Sequence, residues 1–348
     1  MAQVRWASLV AALVAMVASA AASAQTAPKP LFASDAMLRL TVAGPITEIS
    51  RAGGQTRAPR DAVLTVPGAP ADSHPIQLSP RGITRLKRDV CQFPPLRVSF
   101  RRAPGPASPF SGQKQIKLVT HCRATASFQQ YVLLEYAAYR MYNLLTPMSF
   151  RARLATIDYI DSDSRPVATR LGFFLEEIDD VAARNAMRRA ATGERVLSTQ
   201  LSRTDAARVA MFEYMISNLD WSMRAGPPGE RCCHNSRLIA RAGAAADLVP
   251  VPYDFDFSGL VNAPYAVAPD GGSSVRGRQY RGFCAHNADA LAMAAVFRSR
   301  HGALLAVLGE VPLDESVRRR AAAYLEGFFG DIADDQRTSA KLLRTCVR

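Results

Sequence analysis

Tyr253-Asp254-Phe255-Asp256-Phe257-Ser258-Gly259 is the most informative stretch of the chain. It closes an apolar run, Leu248–Tyr253, that reads as a short strand. Two carboxylates stand at i and i+2 where that strand ends, and a tight glycine turn follows. Carboxylates crowded at one point repel each other unless a cation joins them. A magnesium-type cation, held by one or two carboxylates together with substrate phosphates, is the economical solution. Two other readings use the same residues. One is an ordinary strand end with a capping aspartate. The other is a D-x-D nucleophile, which needs the motif on the first strand of a repeated β-α-β unit, whereas the chain after Asp256 reads as helices.

Working outward, Ser217-Asn218-Leu219-Asp220-Trp221-Ser222 ends an amphipathic helix, and Asn235 follows within His234-Asn235-Ser236-Arg237-Leu238. In phosphoryl transfer one aspartate accepts the proton of the attacking hydroxyl, while an asparagine and a second aspartate hold the metal on the nucleotide phosphates. Asp220, Asn235 and Asp254 occur in that order. Taken singly, Asp220 reads as a helix-end residue and Asn235 as a turn amide. Further upstream, Lys117 sits on an apolar strand, and Glu135 lies within an otherwise apolar helix. A buried carboxylate needs a cationic partner, so the spacing predicts a Lys117–Glu135 pair, with Lys114 and Arg140 as competitors. No G-x-G-x-x-G loop is present. Ser79-Pro80-Arg81-Gly82-Ile83-Thr84-Arg85, with one glycine and two arginines, is the candidate phosphate-covering turn.

The composition bounds the classes. With 48% hydrophobic and 21% charged residues over 348 positions, the chain is globular rather than disordered. Lys and Arg number 43 against 30 Asp and Glu, a net charge of +13, which suits anionic partners. The basic residues are scattered, and no aromatic-interleaved basic stripe appears, so nucleic acid is not an expected partner. Only the N-terminus carries a long apolar run. Arg5, the Ala-rich run Trp6 to Ala22 and the small residues Ala22-Ser23-Ala24 form the layout of a secretory signal peptide. The expectation is cleavage after Ala24, a secreted or periplasmic mature chain and no stable membrane span; an uncleaved anchor is the alternative. Six cysteines, Cys91, Cys122, Cys232, Cys233, Cys284 and Cys346, then favour disulfides over zinc. The adjacent Cys232 and Cys233 are expected to bond to different partners.

Strand-like segments run through Leu38–Val42, Ala62–Val66, Pro75–Leu78, Leu96–Phe100 and Gln115–Val119. Ser127–Leu145 reads as a buried helix. Ser149–Ile160 and Ala168–Leu175 read as a hairpin about the polar turn Asp161–Pro166. Helices are predicted at Asp180–Ala191 and Asp205–Leu219. A Gly/Pro/Cys loop spans Trp221–Asn235, and a long loop, Leu260–Phe283, precedes helices at Asp289–Leu308, Asp314–Phe329 and Asp335–Cys346. In that loop Tyr265, Arg276, Arg278 and Tyr280 are either acceptor contacts or surface cover.

Together these features resemble a divergent member of the CotH (spore coat protein H) kinase family. The matching segments are Arg81–Arg85, Gly112–Leu118, Leu171–Asp179, Asn218–Trp221 with Asn235, and Tyr253–Asp256, in family order. The resemblance implies an α+β, atypical protein-kinase-like fold. Its β-rich N-terminal lobe with one buried helix would be residues 25–177, and its mainly helical C-terminal lobe residues 178–348. It implies a metal-dependent kinase that transfers phosphate from ATP, with Mg²⁺ or Mn²⁺, to a protein Ser/Thr or other envelope hydroxyl. In that reading Asp220 is the base, Asn235 and Asp254 are metal ligands, and Asp256 is a further ligand. Lys117, oriented by Glu135, contacts the nucleotide phosphates with Arg81 and Arg85, and Glu177 lies on the connection along which adenine rests. The alternative is a non-catalytic, kinase-like envelope or surface binding protein, a pseudokinase. A metal-dependent transferase or hydrolase acting on envelope phosphates is a third class, which would keep the carboxylates without the Lys–Glu pair.

Overall fold

Alternating apolar positions in the first half of the chain build a sheet that pairs edge to edge until it meets itself. The computed structural model describes residues 27–68, 72–268 and 274–348; the expected signal peptide lies outside them. The elements of this half are β1 (Leu38–Gly44), α1 (Ile46–Ala52), β2 (Arg60–Val66), β3 (Asp72–Pro80), β4 (Leu96–Phe100), β5 (Gln115–Val119), α2 (Ala126–Asn143), β6 (Ala152–Asp161) and β7 (Pro166–Leu175). The strands form a closed barrel in the order β1-β2-β3-β4-β5-β7-β6. Neighbours are antiparallel except β1 and β6, which pair in parallel from Leu38 opposite Ala155 to Gly44 opposite Asp161. The period of two puts Leu40, Val42, Leu64, Ile76, Leu78, Leu96, Val98, Ile116, Leu118, Ile157 and Phe174 in one buried cluster.

The second half contributes α3 (Ile178–Arg184), β8 (Arg188–Arg189), α4 (Arg203–Ile216), β9 (Ser236–Ala240), β10 (Val249–Pro252), α5 (Asn287–Ser299), α6 (His301–Glu310), α7 (Glu315–Asp331) and α8 (Asp335–Lys341). Strands β10-β9-β8 form a small separate sheet. A second core runs from Val119 to Leu343 and joins α2 and β7 to α4 and the C-terminal helices. Within it Tyr142 packs on Phe212, and Tyr139 on Phe255.

The α+β class holds, but the kinase-like two-lobe fold does not. The N-terminal strands close into a barrel of mixed pairing because β6 returns alongside β1 and satisfies its free edge. The predicted helix Asp289–Leu308 is two helices, which meet at 55°. Helix α3 ends at Arg184, and strand β9 occupies a stretch that the sequence left unassigned. Among the described residues no single helix is long and apolar enough to cross a membrane.

Cys91 and Cys122, Cys232 and Cys233, and Cys284 and Cys346 lie in pairs at disulfide distance. Such pairs fit an oxidising compartment. The expectation of separate partners for Cys232 and Cys233 is overturned. Cys91 and Cys122 staple the loop before β4 to the end of β5, and Cys284 holds the C-terminal segment through Cys346. No sulfur is left for either member of the adjacent pair except its neighbour.

Candidate functional site

Three short backbone devices bring the acidic residues together. Strand β10 pairs antiparallel with β9, with Pro252 opposite Ser236. Asn235, just before β9, therefore emerges beside Tyr253, whose N–H donates to the Asn235 carbonyl at 3.0 Å. Asp254 then takes a left-handed conformation (φ 68°), and its N–H donates to Tyr139 Oη at 2.8 Å. A 3-10 turn over Phe255–Phe257 follows and places Asp256 in the buried interior of the site. Helix α4 ends on Ser217, also left-handed (φ 52°), which redirects the chain into Asn218-Leu219-Asp220. Asn218 Oδ1 accepts the Asp220 N–H at 3.1 Å. Asn235 is left-handed too (φ 46°); Asn and Asp enter this region more readily than most side chains.

Glu135 of α2, Asp254 and Asp256 each present an oxygen within 4.8 Å of the others. Burial, then the charge of Asp256, holds the Glu135 carboxyl well above its ordinary range, opposed by Arg85. Burial, then Asp254, pushes Asp256 up to about 6, again opposed by Arg85 and by a hydrogen bond from Tyr265. Arg85 is itself buried. Its Nη1 lies 3.4 Å from Glu135 and 3.6 Å from Asp256, and its Nη2 donates to the Thr120 carbonyl at 3.0 Å.

Asp220 forms another part of the cleft wall. His234 Nε2 lies 2.7 Å from its Oδ1, and Asn235 Nδ2 donates to its Oδ2 at 3.0 Å and to its carbonyl at 2.7 Å. The hydrogen bond to Asp220 raises the His234 pKa. With its amide nitrogen committed to Asp220, Asn235 has Oδ1 left to face a cation. A cleft of about 420 Å³ is lined by Arg81, Arg85, Asp220, His234, Asn235, Arg237, Asp254 and Asp256, among others.

Six of the sequence-selected residues thus share one cleft: Arg81, Arg85, Asp220, Asn235, Asp254 and Asp256. Glu135 joins them through its contacts with Arg85 and the two aspartates. Lys117 and Glu177 do not line the cleft. Lys117 Nζ lies 3.6 Å from Glu177, 5.5 Å from the centre of the Phe150 ring and 5.9 Å from that of Tyr253. Burial, together with Arg81, Arg97 and Arg237, lowers its pKa to about 8 against the pull of Glu177. The predicted Lys117–Glu135 pair is therefore replaced by two pairs, Arg85–Glu135 and Lys117–Glu177. On β5 the alternation sends Ile116 and Leu118 into the barrel core, and Lys117 to the other face, toward Glu177 at the end of β7. Arg140, the competitor on α2, pairs instead with Asp35 and Glu310.

Sequence reasoning missed four contributors. His234 stood beside Asn235 without an assigned role. Arg237, whose guanidinium lies 4.9 Å from the centre of the Tyr253 ring, is one residue of an unassigned strand. Tyr139 lies one helical turn beyond Glu135, a spacing that puts both on one face of α2. Tyr265 comes from the long loop and hydrogen-bonds Asp256. Arg276 and Arg278 instead lie against the Tyr324 ring, 4.4 and 4.2 Å from its centre, and Tyr280 is buried.

No protein-family model matches the chain, and no curated protein matches it in sequence. The donor set itself fits a hard divalent cation, which takes carboxylate and carbonyl oxygens. Three crowded carboxylates, two of them with raised pKa values, are relieved by added positive charge.

Proposed function

We propose that the cleft binds a nucleoside triphosphate, ATP, with Mg²⁺ or Mn²⁺, and transfers its terminal phosphoryl group to a hydroxyl of an exported acceptor, a protein Ser or Thr or another envelope hydroxyl. One observation carries the reading. Asp220, Asn235 and the Asp254–Asp256 pair, drawn from separate segments, face one cleft that Arg81, Arg85 and Arg237 also line, with Glu135 behind it against Arg85 and the two aspartates. The CotH-kinase resemblance adds the order of these motifs along the chain. It adds no support from the fold, because the two-lobed arrangement is absent.

The roles follow from the contacts. Asp220, oriented by His234 and Asn235, accepts the proton of the attacking hydroxyl. The acceptor oxygen forms the new bond to phosphorus, the bond to the bridging oxygen breaks, and the nucleoside diphosphate leaves. Asp254, Asp256 and Asn235 would hold the cation, whose charge neutralises the phosphates when it is bound. Arg81, at the wall of the cleft, and Arg85, deeper in it, contribute positive charge toward the phosphates. Lys117, behind Tyr253, adds to the same field and with Glu177 marks the side toward which the base would lie.

A second reading, a non-catalytic binding protein of the envelope or surface, draws on Arg85. Its guanidinium already offsets part of the charge of Glu135 and Asp256, so part of what a metal would supply is in place without one. Turnover separates the two. The purified chain with ATP and Mn²⁺ is expected to release ADP at a rate that Asp220→Asn lowers about a hundredfold or more, the scale of a lost general base, while nucleotide affinity is kept. Equal ADP release by wild type and Asp220→Asn, or none from either, would reject the transfer reading.

A further inference from the structure

The barrel carries a second cavity, apart from the acidic cleft. It lies where α1, the strands β6 and β7 and the segment after β5 meet, and has a volume of about 190 Å³. Drug-sized ligands occupy sites of about 300 Å³ and more, so the occupant is small. Ile46, Phe93, Tyr159 and Val167 supply apolar wall, and His121 and Arg170 supply polar groups. The His121 ring stacks on Phe93 with centroids 5.0 Å apart and planes at 15°, and it lies 5.7 Å from the Tyr159 ring.

Two polar atoms here have no partner among the described residues. His121 is only 7% exposed, and its Nδ1 makes no hydrogen bond. Arg170 Nε is likewise buried and unpaired, although its Nη1 donates to the Thr169 carbonyl at 2.9 Å. Buried polar groups are rarely left in this state, because each forfeits its hydration without compensation. The cavity also has a sign. Arg123 lies in its wall, satisfied by the carbonyls of Asp89 and Val90, and none of the described lining residues is acidic. Burial and the charge of Arg170 lower the His121 pKa to about 3, so the imidazole is neutral at working pH and brings one N–H.

We propose that this cavity binds a small aromatic carboxylate, its carboxylate taken by Arg170 and His121 Nδ1 and its ring held among Phe93, Tyr159 and Val167. The charge selects an anion, the three rings select a flat apolar body, and the volume limits its size. This site is independent of the phosphoryl-transfer reading, since it shares no lining residue with the acidic cleft.

Titration calorimetry of the full chain tests it with benzoate, with benzyl alcohol as the same ring without the charge, and with acetate as the charge without the ring. Benzoate is expected to bind one equivalent, more tightly than either control, and to shift the ring resonances of His121. Arg170→Gln, on a partly exposed strand position, is expected to weaken benzoate about tenfold or more, the effect of losing one charged hydrogen bond. His121→Phe keeps the stack on Phe93 and is expected to weaken it as well. No heat from millimolar benzoate would overturn the proposal. So would acetate binding as tightly as benzoate, or affinity unchanged in a folded Arg170→Gln.

Discussion

Replacing Arg85 with methionine tests the electrostatics of the cleft at its deepest point. Arg85 is 7% exposed, and its guanidinium serves three partners: Glu135 at 3.4 Å, Asp256 at 3.6 Å and the Thr120 carbonyl at 3.0 Å. Removing one partner of a buried pair costs about 3–5 kcal/mol, because the remaining charge is left uncompensated. The Thr120 carbonyl loses a donor as well, at about 1–3 kcal/mol. Methionine fills most of the space, and the carboxylates escape part of the penalty by taking up a proton, so the expected loss is about 3–4 kcal/mol at neutral pH. The assay is urea unfolding of wild type and Arg85→Met, each with and without millimolar Mn²⁺. Without metal the variant unfolds at much lower urea. With metal it recovers more stability than wild type gains, because the cation takes up the charge that Arg85 supplied. A loss below about 1 kcal/mol, or a variant blind to Mn²⁺, would refute the view that Glu135, Asp254 and Asp256 form a site short of positive charge.

Three further outcomes follow from the same contacts. Lys117, with its pKa lowered to about 8, is charged below that pH and neutral above it; ATP affinity is expected to fall as pH rises from about 7.5 to 9 in wild type and to stay level in Lys117→Arg, whose charge persists. Glu213 is fully buried, its carboxylate oxygens meet no hydrogen-bond partner at full bonding geometry among the described residues, and burial, opposed by the nearby Asn218 amide, holds its pKa well above normal. The folded chain thus keeps a proton that the unfolded chain releases above its ordinary pKa, so stability falls with rising pH by up to about 1.4 kcal/mol per pH unit; chemical unfolding should find Glu213→Gln more stable than wild type at pH 7 and equal to it near pH 4. Cys284 and Cys346 are separated by 62 positions; opening that link with Cys346→Ser is expected to cost up to about 4 kcal/mol in the chain-entropy model, read as a lowered melting temperature.

The local elements were legible where period and composition agreed. Leu96–Phe100 and Gln115–Val119 are strands with the bounds read from the sequence, and the turn at Asp161–Pro166 does join β6 to β7. Strand β9 escaped because Ser236-Arg237-Leu238-Ile239-Ala240 is short and buried almost throughout, so it has no polar alternation to reveal it. The break between α5 and α6 falls at Arg300; Arg298 in the last turn and Gly302 just beyond are helix-stop signals, masked by the apolar periodicity that continues on both sides. Barrel closure lies outside any local pattern, since it depends on β1 meeting β6 more than a hundred residues later. In the site, Asp220, Asn235, Asp254 and Asp256 stand out in the sequence as carboxylate and amide groups on three separate segments, and the fold brings them to one cleft. The partner of Glu135 does not stand out. Spacing places a cation within reach but does not say which face of its strand or turn it occupies, and Arg85 enters from the loop after β3 while Lys117 turns toward Glu177.

Thermal unfolding of the purified chain with ATP and Mn²⁺, separately and together, in wild type and Asp254→Asn, tests the central claim most directly. Asparagine keeps the tolerance for the left-handed backbone at this position and removes the charge. The account predicts a shift with ATP and Mn²⁺ together that exceeds the sum of the separate shifts, worth about 2.7 kcal/mol at a hundred times Kd, and lost in Asp254→Asn. No shift at millimolar ATP and Mn²⁺, or the same shift in Asp254→Asn, would contradict it.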